Sequence, residues 1–293
     1  MTKCLVTGGL GFIGSNLVDA LIKQGHEVIV LDNLSTGKLE YLNPKAKFIE
    51  DDIRNKNIFY QLEPVEYVFH LAALARIQPS IEDPLTAHQV NVDGTINVLN
   101  YCRQHNAKII FSGSSSVYKG ETLPISENDE KDPKSPYALQ KLQCEQYIEL
   151  FGKLYGLDYT ILRYFNVYGE RQILEGAYAA VVGIFLAQKE KGLPITITND
   201  GEQRRDMTYV KDVANANILA MNWPKLTFNI GTGKNYSMNE LATFVGGEKS
   251  YIGERLGEAR TTLADNSRAI SNGWAVTMDI KDWIEKHENS VLI

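Results

Sequence analysis

The 293-residue sequence predicts an α/β fold, a doubly wound parallel sheet with a smaller, interleaved lobe. Three observations predict it. Apolar runs at 3–7, 27–32, 46–50, 66–71, 108–112 and 158–163 have the length of strands. Several are nearly continuous in Val, Ile, Leu and Phe, as parallel strands covered on both faces require. Helical periodicity fills 12–24, 84–105 and 136–155, so strands and helices alternate through the first half. After about residue 165 the alternation breaks into shorter pieces, which marks the second lobe. Segments near 205–231 are expected to return to the sheet. The lobes are therefore assigned as 1–165 plus 205–232, and 166–204 plus 233–293.

The first strand runs through Cys4-Leu5-Val6 into Thr7-Gly8-Gly9-Leu10-Gly11-Phe12-Ile13-Gly14. Gly8, Gly11 and Gly14 fall at the spacing G-x-x-G-x-x-G. Glycines so placed permit a tight turn and let the backbone approach a diphosphate. They also let the following helix pack closely, with its N-terminal N–H groups aimed at the anion. The second strand ends at Asp32. An acid about 20 residues past the turn suits a ribose 2′-hydroxyl and repels a 2′-phosphate. The sequence thus predicts a Rossmann-type unit that holds NAD rather than NADP. Later elements carry their own start signals. Asp83-Pro84 supplies an N-cap and a proline for the first helical position, and Ser135-Pro136 precedes the long helix at 136–155.

Composition narrows the function classes. A hydrophobic content of 44% supports a sizeable core. The 30 Lys+Arg against 36 Asp+Glu, net −6, show no basic cluster, which argues against a nucleic-acid partner. Cys4, Cys102 and Cys144 lie far apart without a CxxC pair and read as apolar fillers in a reducing compartment. No metal-ligand set is read. No apolar run approaches the roughly 18 residues of a membrane span. The N-terminus carries the glycine motif and lacks a cleavage pattern. A cytoplasmic protein with no membrane partner is expected.

Tyr137 and Lys141 supply the chemistry. Their spacing puts both on one face of a helix. With 15 Tyr in the chain, about one Y-x-x-x-K arises by chance. Tyr41 and Lys45 form a second copy, but Pro44 interrupts it in a short loop, so it is set aside. The pair at 137 and 141 follows the strand Lys108–Phe111, which runs into Ser112-Gly113-Ser114-Ser115-Ser116. Hydroxyls there lie at the C-terminal edge of a strand, where open α/β sheets bind ligands.

Together these residues resemble the extended short-chain dehydrogenase/reductases, the NAD-dependent sugar epimerase/dehydratase family. The likeness covers nearly the whole chain. It extends to Asp51-Asp52-Ile53, His70-Leu71-Ala72-Ala73, Asn91-Val92-Asp93-Gly94-Thr95, Arg163-Tyr164-Phe165-Asn166 and Arg205-Asp206. The resemblance implies Ser114, Tyr137 and Lys141 as the catalytic set. It implies cofactor contacts at Gly8, Gly11, Phe12, Ile13, Gly14, Asp32, Asn33, Asp52, Ile53, Leu71, Ala72, Ala73, Asn91, Tyr137, Lys141 and Tyr164. Asp52 and Ile53 would meet adenine, Leu71 to Ala73 would line the cofactor channel, and Tyr164 would lie near the nicotinamide. A free phenol titrates near pH 10, so a tyrosine base needs cations beside it. Lys141 and the nicotinamide ring would supply them, and Ser114 would hydrogen-bond the sugar O4.

Related dehydratases and decarboxylases carry Asp or Glu just after the catalytic Ser/Thr. Here Ser115 and Ser116 stand in those positions, so the resemblance implies 4-epimerisation of a UDP-hexose. The expected substrate contacts are Asn166, Ala180, Val181, Arg205, Arg255, Glu258 and Thr262. UDP-glucuronate 4-epimerases usually carry Thr where Asn166 stands. Thr262 aligns with a gate that is Tyr in epimerases restricted to non-acetylated sugars. It therefore implies room for an acetamido group, as in UDP-N-acetylglucosamine. The chain is short between Ser237 and Gly257, where Gly246-Gly247 interrupts a helix. Ile197 and Ala75 replace an aromatic and a Lys of some relatives. A homodimer through the helices at 84–105 and 136–155 is implied. Another nucleotide-sugar epimerase or dehydratase, such as a UDP-glucuronate 4-epimerase, and a non-catalytic NAD-binding regulator of the same fold remain open alternatives.

Overall fold

The computed structural model describes residues 2–174, 179–253 and 259–291, with side chains up to residue 286. The first half runs β1 (Lys3–Thr7), α1 (Phe12–Lys23), β2 (Glu27–Asp32), β3 (Lys47–Glu50), β4 (Tyr67–His70), α2 (Ile77–Glu82), α3 (Pro84–His88), α4 (Gly94–His105), β5 (Lys108–Ser114) and α5 (Pro136–Tyr155). The rest runs β6 (Tyr159–Tyr164), β7 (Asn166–Tyr168), α6 (Val181–Glu190), β8 (Ile195–Thr198), β9 (Arg204–Tyr209), α7 (Val210–Leu219), β10 (Thr227–Ile230), β11 (Asn235–Ser237), α8 (Met238–Val245), β12 (Lys249–Ile252), α9 (Ser267–Ser271) and α10 (Ile280–Val291).

The central sheet has seven parallel strands in the order β3-β2-β1-β4-β5-β6-β10. Successive side chains of a strand point to opposite faces. Cys4 and Val6 therefore enter one core, with Leu17, Val18 and Leu21 of α1 and Val213 and Ala214 of α7. Leu5 enters the other, with Val98, Leu99 and Cys102 of α4 and Cys144 and Ile148 of α5. Burying each such side chain contributes about 1.5–3 kcal/mol, which explains why these strands carry almost no polar residues. The order reverses between β1 and β4. A crevice at their C-terminal ends is where such sheets bind ligands.

A further core is built from Tyr168, Phe185, Ile195, Met207, Leu241 and Trp283 among others. Ser237 and Glu240 form a capping box that starts α8, worth about 1 kcal/mol. Gly246, at φ +75°, ends it.

Three elements differ from the sequence expectation. The helix at 84–105 is one helical path, but residues Gln89–Asp93 form a π-helical turn inside it. That turn swings Asn91 inward. The segment 205–231 only partly returns to the central sheet. β10 pairs with β6, while β9 pairs with β7 and β11 in a separate three-stranded sheet. β5 also runs on to Ser114 because Gly113 and Ser114 stay in register with Arg163 and Tyr164.

Candidate active site

The glycine turn is built on close approach. Gly8 has φ +69°, and a Cβ there would sit 2.7 Å from the Ala72 nitrogen. A Cβ on Gly14 would sit 2.1 Å from the Gly8 carbonyl oxygen. Gly11 is the N-cap of α1, and no side chain caps that helix. The turn therefore presents Gly11, Phe12 and Ile13 at an uncapped, partially positive helix end. Asp32 is fixed beside it. Its carboxylate accepts the Leu10 and Leu34 N–H groups, each at 2.9 Å. On the same rim Asn33 donates to Asp52 at 2.8 Å. The Arg54 guanidinium, through its hydrogen bonds, holds the Asp52 carboxyl down at about 2. The bare helix end, the side-chain-free turn and the fixed acid fit a dinucleotide diphosphate and its ribose.

The far wall is the loop after β4. Leu71, Ala72 and Ala73 are half-buried there. Asn91, buried in its π turn, accepts the Leu74 N–H at 2.8 Å and donates to Gln140 Oε1 of α5 at 2.8 Å. It ties the channel loop to the long helix. Below, His70 is buried between the hydroxyls of Thr7 (2.7 Å) and Thr95 (2.9 Å). Burial, and then the Lys141 charge, push its imidazole down to about 3, so it is neutral at pH 7. Ile53 is buried against Gly94. Tyr164 is also inward: its hydroxyl meets Ser112 Oγ at 3.0 Å and the Asn217 amide nitrogen at 2.7 Å. Desolvation pushes that phenol up to about 12.

Ser135 caps α5 by accepting the Ala138 N–H, and Pro136 takes the first helical position. This places Tyr137 in the first turn. Its N–H donates to Ser80 Oγ of α2 at 3.0 Å. Lys141, one turn on, is buried. Its Nζ donates to the Ser112 carbonyl at 2.8 Å and lies 4.8 Å from the centre of the Phe111 ring. Ser114 ends β5, its Oγ 2.8 Å from Ser116 Oγ. The C-terminal end of β5 and the start of α5 thus flank the crevice together.

Asn166 and Thr262 meet: Asn166 Nδ2 donates to Thr262 Oγ1 at 3.3 Å, and Thr262 is buried. Thr262 Oγ1 also accepts the Asp206 N–H at 3.2 Å. Asp206 itself is fully buried. It accepts from the N–H groups of Thr232, Gly233 and Ala264 and from the Thr232 hydroxyl, so it organises the loops around Thr262. Arg205 is buried and donates to the carbonyls of Arg204 and Arg260. Ala180 is the N-cap of α6 and Val181 its first residue, with no side-chain cap. Ile197 is fully buried in the same core as Tyr168 and Met207. Arg255 and Glu258 lie outside the described residues.

Sequence reasoning missed Ser80, Gln140 and Asn217, which come from segments far from their partners. It also passed over Glu145. That acid, eight residues after Tyr137 and four after Lys141, was a readable signal on one helix face.

Among the described residues no helix is long and apolar enough to cross a membrane. A family model described as the NAD dependent epimerase/dehydratase family matches residues 4–231. A Methanocaldococcus jannaschii protein provisionally named a UDP-glucose 4-epimerase is 44% identical, over 97% of this chain and 97% of its own length. The structure of UDP-glucose 4-epimerase with UDP-glucose from Thermotoga maritima superposes with a TM-score of 0.94 at 38% identity, covering 99% of this chain and 100% of that one. The UDP-N-acetylglucosamine 4-epimerase of Methanobrevibacter ruminantium, in complex with UDP-N-acetylmuramic acid, gives 0.92 at 38% identity, covering 97% and 96%. The glycine cradle, the fixed Asp32 and the match across the sheet agree: this chain belongs to the NAD-dependent epimerase/dehydratase family.

Proposed function

We propose that the chain is a UDP-hexose 4-epimerase. Its proposed substrates are UDP-N-acetylglucosamine and UDP-N-acetylgalactosamine, with UDP-glucose and UDP-galactose as further substrates. The observation that carries the reading is the hydroxyl run after Ser114. Ser115 and Ser116 follow it in a short 3-10 turn where an eliminating enzyme needs a carboxylate. Without that acid, a 4-keto sugar has no route to lose water, and reduction from the opposite face remains.

NAD, when bound, supplies the acceptor and donor of a hydride at C4. The glycine turn and the α1 N-terminus hold its diphosphate, and Asp32 its ribose. Tyr137 takes the proton of the sugar O4 as C4 is oxidised and returns it on reduction. Lys141 favours the phenolate, because a nearby cation stabilises an anion. Ser114 donates to O4 and fixes its place. Arg205 binds the nucleotide diphosphate with a fork-shaped donor. Incubation with UDP-N-acetylglucosamine and no added reductant is expected to yield its C4 epimer. A dehydrated product would indicate a dehydratase, and no product from any UDP-hexose a non-catalytic NAD-binding protein.

Thr262 supports the acetylated class because it is small and touches Asn166. Thr262→Tyr is expected to lower kcat/KM for the acetylated sugars about tenfold or more, while UDP-glucose is retained. An equal loss for both classes would remove Thr262 from the gate role.

The proposed assembly is a homodimer. Leu139, Tyr147, Leu150 and Leu154 are exposed at helical spacing along α5, with Leu85 of α3 exposed nearby. Such an apolar stripe marks an association surface. Light scattering is expected to report a dimer, and Leu139→Glu with Leu150→Glu a monomer.

A further inference from the structure

Arg163 and Glu145 form an ion pair that the proposed chemistry does not use. Arg163 Nη2 lies 2.6 Å from Glu145 Oε2, with side chains only 4% and 2% exposed. Arg163 Nε donates to Glu145 Oε1 at 3.0 Å, so the contact is two-pronged. Its third nitrogen, Nη1, donates to the Tyr118 hydroxyl at 2.7 Å and the Glu127 carbonyl at 3.1 Å.

The location gives the pair its meaning. Glu145 is one helical turn after Lys141 on α5. Arg163 pairs across the sheet with Gly113, the residue before Ser114. A Cβ on Gly113 would lie 3.0 Å from Glu145 Oε1, so a side chain there would press on the carboxylate. Tyr118 belongs to the segment that leaves Ser114. The pair therefore joins the helix of Tyr137 and Lys141 to the strand end and turn of Ser114.

Stability alone is a poor reason for this arrangement. A buried ion pair is often no better than well-packed apolar side chains of similar volume. A two-pronged guanidinium–carboxylate contact, however, has one good geometry, whereas apolar surfaces slide. Apolar packing of Cys144 and Ile148 holds α5 against β5 and β6, and the ion pair adds a contact of fixed length beside it. A surface cleft of about 390 Å³ adjoins the pair, lined in part by Leu142, Glu149 and Tyr159.

We propose that Arg163 and Glu145 are positioning residues: their ion pair sets the spacing between the helix carrying Tyr137 and Lys141 and the strand ending in Ser114. This rests on the reading of Ser114, Tyr137 and Lys141 given above.

The test replaces both charges at once, Glu145→Met with Arg163→Met, so that neither is left buried alone. The expected protein melts near the wild-type temperature, binds the UDP-sugar with an unchanged KM, and has a kcat lower by about tenfold or more. A wild-type kcat in the folded double variant overturns the proposal. If the double variant does not fold, Glu145→Asp keeps both charges and shortens the reach by one methylene. Its kcat is expected to fall at unchanged KM, and a wild-type kcat there overturns the proposal equally. Tyr137→Phe, measured alongside, separates the two layers. Turnover in that variant removes the underlying reading of the site. An inactive Tyr137→Phe beside a fully active double variant removes only the positioning role.

Discussion

Tyr137→Phe is expected to lose turnover by about 10²–10⁴-fold, the usual contribution of a positioned acid or base. The described contacts that start the helix do not use the phenol oxygen. The Ser135 cap, Pro136 and the bond from the Tyr137 N–H to Ser80 Oγ all involve other atoms. The ring also stays the same size. The variant should therefore melt like the wild type and retain NAD while failing to form the C4 epimer. Cofactor content, melting temperature and epimer formation are the three measurements. Retained turnover would take Tyr137 out of the base role. Loss of NAD together with turnover would make the residue a cofactor contact first.

Gly14→Ala is expected to damage the cofactor site and the fold together. Two effects oppose each other. Alanine is favoured over glycine inside a helix by about 1 kcal/mol. Against that, the new Cβ would lie 2.1 Å from the Gly8 carbonyl oxygen and 2.9 Å from the Gly9 Cα. Both neighbours are backbone, so no side chain can rotate away. Overpacking of this kind costs about 1–3 kcal/mol or more, and the clash wins. Relief requires the turn to open or α1 to tilt, and either moves the N–H groups from the diphosphate. The purified variant should carry little NAD and melt below the wild type. Gly11→Ala is the control, because its nearest contact is 3.3 Å and its disturbance is correspondingly smaller. Wild-type NAD retention in Gly14→Ala would refute the close-packing account.

Much of the fold was readable because parallel strands buried on both faces must be apolar throughout. Cys4-Leu5-Val6 and Lys108-Ile109-Ile110-Phe111 announced themselves for that reason. The π turn at Gln89–Asp93 was not readable, since its end residues keep helical dihedral angles and its sequence looks like ordinary helix. The place of β9 was not readable either. Its sequence does not say which of two sheets it joins; the strand order shows it beside β7 and β11. On the site, Tyr164 illustrates the limit. The motif around it points to the cofactor, but the partners of its hydroxyl, Ser112 and Asn217, are visible only in the folded chain.

By itself the sequence determined the features that act within one turn or one strand. These are the glycine spacing, Asp32 at a strand end, the capped start of α5 and the Tyr137–Lys141 face. Local sterics and short-range hydrogen bonds set them, so spacing along the chain is enough. Only the tertiary structure decided what meets across elements. Ser80 holds Tyr137, Asn91 ties Leu74 to Gln140, Thr262 meets Asn166, and Arg163 grips Glu145. Each of these contacts joins elements that only sheet order and helix packing bring together, and no local pattern encodes that meeting.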